Sequence, residues 1–145
     1  MRDVDPMTAS RAGLATRPFV AATPRSVLRL VRRAAEAQRI GTTGVVVVRL
    51  TETDRLGGTT GLLRFAHALG LRTILDAQHG AIEHLVARRP ELVRPTLRAT
   101  DAAVVVSSRS AALVHELTGG RLRVEIAAPS APSAVRRLQR TLTAA

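Results

Sequence analysis

The chain contains no cysteine, tryptophan or tyrosine, and all of its basic residues are arginine because it has no lysine. Without cysteine, disulfides, thiolate metal sites and cysteine nucleophiles are excluded. Phe19 and Phe65 are the only aromatic residues, which argues against stacking on bases or sugars. The core must therefore be built from Val, Leu, Ile and Ala.

Long apolar runs are also missing. No segment approaches the roughly twenty apolar residues that cross a bilayer, and Asp3 and Asp5 stand where a secretory signal would be basic. We therefore expect a cytoplasmic protein with no membrane span. The 145 residues fit one domain, and a hydrophobic content of 46% supports a packed core. Residues 1–23 lack a sustained period and predict a flexible arm, followed by one α/β domain over residues 24–145.

The formal net charge is +11. Guanidinium groups bind phosphates in bidentate fashion, so a nucleic acid or another polyanion is one class of partner. The arginines are, however, dispersed over three predicted helical regions, where they mainly occupy solvent-facing positions. Solvated helix faces are therefore the favoured interpretation, and nucleic-acid binding stays open as an alternative.

Short β-branched runs alternate with amphipathic segments along most of the chain. The runs at residues 45–50, 72–76 and 102–106 predict buried parallel strands, the first of them central, whereas residues 122–127 alternate apolar and charged side chains, as at a sheet edge. Helices are predicted over residues 24–39, with Val27, Leu28 and Val31 on its apolar side, and over residues 62–69, after a loop at residues 51–61. Pro90 and Pro95 predict two short helices in place of one long helix.

This alternation predicts an α/β fold, a small doubly wound parallel sheet of Rossmann-like type with helices on both faces. In such sheets ligands bind outside the carboxyl ends of the strands. Three polar clusters follow the predicted strands, and they are the candidate sites.

The first cluster is a loop with Asp54, Gly57, Gly58 and Thr59, whose backbone amides can cradle a phosphate or a sugar hydroxyl. It matches neither a P-loop nor G-x-G-x-x-G, and an ordinary strand-to-helix turn explains it equally well.

The second cluster contains Asp76 and His79. His79 can act as a general base or bind a hydroxyl, with Asp76 orienting it, although a capping role is the favoured alternative. His84 lies off the face of His79 and no H-E-x-x-H occurs, so no metal site is predicted.

The third cluster, Ser107, Ser108 and Arg109, offers hydroxyls, a guanidinium and helix amides to an anion. Helix N-capping by Ser107 or Ser108 is the favoured alternative. No G-x-S-x-G elbow is present, which disfavours a serine hydrolase. The catalytic residues are left unassigned, and no cofactor is predicted.

A resemblance rests on residues 90–108, with its Ala-Thr-Asp-Ala-Ala-Val-Val-Val-Ser-Ser strand entry, on residues 113–119 and on Arg123-Val124-Glu125-Ile126-Ala127-Ala128-Pro129. This part resembles the later portion of the N-terminal domain of GT-B retaining glycosyltransferases of the family 4 type, and residues 45–50 and 74–80 resemble its preceding strands. The resemblance covers residues 40–132. It implies a GT-B half-domain and a transferase function on the acceptor side.

The chain departs from that family in two respects. The family's opening strand and glycine-rich loop have no clear counterpart, and the C-terminal nucleotide-sugar domain is missing, so the resemblance implies a domain that is inactive alone. Three interpretations follow from it: a half that pairs with a separate donor domain, a degenerate remnant, or an adaptor that kept the fold. Two other classes remain open. One is an arginine-rich module that binds a polyanion, and the other is a non-catalytic interaction protein that dimerises through its edge strand and the helix at residues 24–39.

Overall fold

A computed structural model of the protein describes residue 19 and residues 23–50, 56–78, 81–127 and 133–144. Helices and strands alternate through these residues. They are, in chain order, α1 (Pro24–Ile40), β1 (Val45–Arg49), α2 (Leu56–Ala68), β2 (Arg72–Ala77), α3 (Ala81–Arg88), α4 (Pro90–Arg98), β3 (Ala102–Val105), α5 (Ser108–Thr118), β4 (Arg123–Ile126) and α6 (Ser133–Ala144).

The four strands form one parallel sheet in the order β1-β2-β3-β4. The predicted fold class is confirmed, and the strand bounds agree with the prediction to within a residue or so at each end. β4 lies at an edge, as predicted. The prediction of a central β1 is wrong, because β1 is outermost among the described strands. Phe19 pairs with its outer side through two backbone hydrogen bonds, to the carbonyl of Val47 and from the amide of Arg49.

Helices cover both faces of the sheet. Since side chains alternate along a strand, Val46 and Val48 face α2 while Val47 faces the other way. Helices α2 to α5 pack on the first face, and α6 packs on the second through Ala134 and Leu138. The central strands β2 and β3 therefore read as apolar runs, because almost every position is buried.

Helix α1 is turned differently from its hydrophobic pattern. Its apolar side points outward, with Val27 41%, Leu28 50% and Val31 41% exposed. The buried positions are Ser26, Leu30, Arg33 and Ala37. On that side Ala37 packs against the residues that enter β1.

Gly44 shows how close this packing is. A Cβ placed on Gly44 would lie 2.4 Å from Leu71 Cδ2 and 3.2 Å from Ala37 Cβ. The absence of a side chain at this position lets α1 approach β1 and the start of β2, and it fixes which side of α1 is buried.

Two other predictions need correction. Residues 56–61 were expected in a loop, but α2 begins at Leu56 and includes Gly57, Gly58 and Gly61. Burial of Thr59, Thr60 and Leu62 offsets the helix cost of glycine, which is about 1 kcal/mol per residue. The two short helices are confirmed as α3 and α4, but Pro95 lies inside α4, and the break falls at Arg89, just before Pro90. No helix in the described ranges is long and apolar enough to cross a membrane.

Candidate functional site

The three polar clusters follow β1, β2 and β3 in turn. Because these strands are parallel neighbours, the clusters lie along the same, carboxyl edge of the sheet. Two predicted site residues, Asp54 and His79, lie outside the described residues. Among the seven that are described, the structure records no hydrogen bond or ion pair that joins one cluster to another.

The described residues of the first cluster, Gly57, Gly58 and Thr59, belong to α2. Gly57 and Gly58 lie in its first turn, and Thr59 is 6% exposed. The next residue, Thr60, places its hydroxyl 2.7 Å from that of Thr96 in α4. The start of α2 is therefore held against α4 by packing and a buried hydroxyl contact.

Asp76 of the second cluster is buried, with 5% exposure. Its Oδ1 accepts a hydrogen bond from the Gln78 backbone N–H at 3.2 Å, which closes a local turn two residues long. Its Oδ2 lies 3.9 Å from Nε of Arg49 on the adjacent strand, opposite Asp76 in register. The carboxylate thus fixes a turn with one oxygen and faces a cation with the other.

Arg49 has donors to spare. Its Nε is buried and makes no hydrogen bond, while 40% of the side chain is exposed. The guanidinium carries five N–H donors in a rigid fork, and Asp76 is the carboxylate within 4.0 Å of it in the described chain. Arg49, which is partly exposed, and Asp76, which is buried, therefore form an ion pair. We call these two residues the edge pair. The edge pair can offer N–H groups to an anionic or hydroxyl-bearing ligand.

The third cluster divides into two roles. Ser107 is the N-cap of α5, and its Oγ accepts from the Ser110 backbone N–H at 3.1 Å, so capping is confirmed for Ser107. Ser110 is fully buried, and its hydroxyl donates to Glu83 Oε1 of α3 at 3.0 Å. Ser108 and Arg109 are exposed in the first turn of α5 and are free to meet solvent or a ligand.

A further polar network lies at the opposite, amino edge of the sheet. Asp101 Oδ2 accepts from the Thr73 N–H at 2.7 Å and lies 2.8 Å from His67 Nε2. The Thr73 hydroxyl, 3.1 Å from the same His67 nitrogen, donates to the Ala99 carbonyl. The threonine proton is thus already engaged with the backbone, and we interpret the network as structural, with no activated nucleophile.

Sequence reasoning overlooked two participants at the carboxyl edge. Arg49 is the one charged residue in the apolar run at residues 45–50, and that exception was the available signal for a site residue. Glu83 gave no comparable signal, since an acidic residue in the first turn of a helix is common. No group of three or more His, Cys, Asp or Glu side chains within the described ranges is arranged to hold a metal ion.

In open α/β sheets the ligand crevice forms where the strand order reverses, so that two sets of loops face each other. The four described strands follow one another across the sheet in their order along the chain, and this order does not reverse. The described strands therefore include no switch point at which such a crevice would form. Comparisons with protein-family models, with curated proteins and with solved structures find no match to this chain.

Proposed function

We propose that this chain is the acceptor-side half of a GT-B type glycosyltransferase, binding its acceptor at the carboxyl edge and relying on a separate nucleotide-sugar-binding domain for the donor. The observation that carries the proposal is the edge pair. Arg49 projects donors at the edge where α/β domains bind ligands, and buried Asp76 holds it there.

The chemistry of the edge pair favours an acceptor that bears an anion. Arg49 has more N–H groups than Asp76 can use, and the partly exposed fork matches a phosphate or carboxylate in bidentate fashion. Ser108 and Arg109 are also exposed. They follow β3, at the same carboxyl edge of the sheet. A sugar phosphate combines the hydroxyls and the charge that these groups can recognise.

Transfer of a sugar to the acceptor also requires a set of residues that binds the donor. A nucleotide sugar must be held so that its anomeric carbon faces the acceptor hydroxyl, and positioning of this kind is a large part of catalysis. The described edge provides groups for one reactant, so binding without turnover is the expected behaviour of the chain alone.

Binding can be tested by titrating the chain with glucose-6-phosphate and with glucose while recording amide NMR spectra. We expect glucose-6-phosphate to shift the signals of Arg49, Asp76 and Gln78, and glucose to do so more weakly. Arg49→Gln should remove most of the response, since it deletes a charge-assisted contact worth about 1.5 to 3 kcal/mol. Arg123→Gln, an exposed arginine at the start of β4, is the matched control. Equal responses in the two variants would refute the edge pair as the binding site.

A second candidate, a non-catalytic interaction protein that forms a homodimer, is favoured by a different observation. The outward face of α1 carries Val27, Leu28 and Val31, each at least two-fifths exposed. Exposed apolar clusters of this kind mark contact surfaces. Light scattering on the purified chain decides the matter: a dimer dissociated by Leu28→Glu and retained by Ala112→Glu, at an exposed position of α5, would support it. A monomer at all accessible concentrations would refute it.

A further inference from the structure

Arg33 is a charged side chain buried without a conventional partner. It is 7% exposed, and the described structure gives it neither a hydrogen bond nor an ion pair. Its guanidinium lies 5.0 Å from the centre of the Phe19 ring, and the guanidinium of Arg29 lies 4.5 Å from the same centre. A cation–π contact stabilises each cation, but two positive charges share one ring.

This environment disfavours the charged form of Arg33. Burial, and to a smaller extent the charge of Arg29, lower the pKa of the Arg33 guanidinium to about 10, while the carboxylate of Glu36 opposes the shift. Glu36 does not form an ion pair with Arg33, since no carboxylate oxygen of Glu36 lies within 4.0 Å of a guanidinium nitrogen of Arg33. The cation is therefore held in the fold at a cost in free energy that an anion beside it would reduce.

Arg33 also lines a cavity. It has a volume of about 240 Å³ and lies between α1, the residues that enter β1, and α6. Ala37, Ile40 and Val45 supply apolar wall, and Thr42 and Thr43 supply hydroxyls. Val45 is the first residue of β1, so the cavity lies at the amino edge of the sheet, opposite the edge pair.

The lining selects the charge of a ligand. Arg33 supplies one cation, which pairs with the single charge of a monoanion, whereas a dianion would keep one charge uncompensated beside Glu36, which lines the same cavity. The apolar walls favour a short aliphatic body, and the volume, set against about 30 Å³ for a water molecule, admits a ligand of several heavy atoms. A branched short-chain carboxylate satisfies all three conditions.

We propose that the cavity between α1 and α6 is a binding site for a small aliphatic monocarboxylate, whose oxygens accept hydrogen bonds from the guanidinium of Arg33. The aliphatic part of the ligand contacts Ala37, Ile40 and Val45. This site is separate from the edge pair, and it does not depend on the proposed transferase role.

The test compares isovalerate with isovaleramide, which have the same shape and differ in charge. Amide NMR titrations of the unmodified chain should show both acting on Thr42, Thr43 and Val45, with the carboxylate bound at least about tenfold more tightly because of its charge-assisted hydrogen bonds. Equal affinities would overturn the role of Arg33, and this comparison needs no variant. Shifts at the edge pair in place of the cavity would also overturn the proposal.

Two further measurements define the site. Arg33→Met should reduce isovalerate binding to the level of the amide, whereas Arg32→Met, an exposed neighbour on α1, should leave it unchanged. Inorganic phosphate should bind more weakly than isovalerate at a pH where it is a dianion. Tighter binding of phosphate at the same residues would refute the assignment to monocarboxylates.

Discussion

The Nε2 atom of His67 lies 2.8 Å from Oδ2 of Asp101, which ties the last turn of α2 to the start of β3 across 34 positions of sequence. The same carboxylate accepts the backbone N–H of Thr73, a residue with no exposed surface. Asp101 therefore connects a helix and two strands at the amino edge of the sheet.

Replacing this carboxylate should be costly. Asp101→Ala leaves the Thr73 N–H without its side-chain acceptor, and we expect a loss of about 1 to 3 kcal/mol in the free energy of unfolding. His67→Ala should cost less, about 1 kcal/mol, because 35% of the imidazole is exposed. His84→Ala, on an exposed position of α3, is the control and should be nearly neutral. Urea denaturation measures all three, and a neutral Asp101→Ala would contradict the structural role of the network.

Ser107 and Ser108, at the start of α5, should contribute differently to stability. Ser107→Ala removes the N-cap and should cost about 1 kcal/mol, while exposed Ser108→Ala should change stability by less than about 0.5 kcal/mol. Thermal denaturation of both variants provides the comparison. A larger loss for Ser108→Ala would show that the cap lies one residue later.

Arg33 should give stability an unusual pH dependence. Its pKa falls in the folded state to about 10, so the unfolded chain binds the proton more tightly. The cost of the buried charge is therefore fully present below pH 10 and is relieved as the pH rises from about 10 toward the ordinary arginine value. With no Lys, Tyr or Cys in the chain, no other side-chain type except arginine titrates in this window.

We accordingly expect Arg33→Met to stabilise the protein at pH 7, by on the order of 1 kcal/mol after loss of its contact with Phe19. The gain should shrink as the pH is raised through about 10. Urea denaturation of the unmodified protein and of Arg33→Met, at pH 7 and at a pH above about 10, tests this. Arg32→Met is the control. A gain that is constant with pH would contradict the account.

Binding to duplex DNA should be weak. The exposed arginines Arg94 and Arg136 lie on α4 and α6, which pack on opposite faces of the sheet, so they do not form one basic surface. We expect dissociation constants of roughly 10⁻⁴ to 10⁻⁶ M at physiological salt, weaker as salt rises. Fluorescence anisotropy at two salt concentrations measures this. Nanomolar, sequence-dependent binding that is lost in the double variant Arg29→Ala/Arg32→Ala, at two exposed positions of α1, would favour a nucleic-acid module.

The strands were predictable because both faces of the sheet are covered, which makes β2 and β3 continuous apolar runs. The sequence did not predict which side of α1 is buried. Pattern alone favours Val27, Leu28 and Val31, but close contact through Gly44 and stacking on Phe19 decide the orientation, and neither is local in sequence. The same holds at the site. The position of Asp76 at the end of a predicted strand marks it as a candidate, but the identity of its partner, Arg49, depends on the register between β1 and β2.

The most direct test of the central claim, that this chain provides the acceptor side of a two-domain site, is a phosphorus NMR time course with UDP-glucose and glucose-6-phosphate in one sample. The account predicts that the glucose-6-phosphate signal shifts or broadens in an Arg49-dependent manner while the UDP-glucose signals persist unchanged. Release of UDP that is abolished by Arg49→Gln or His79→Ala would show that the chain is a complete transferase. An unperturbed glucose-6-phosphate signal would contradict acceptor binding of this class at the edge pair.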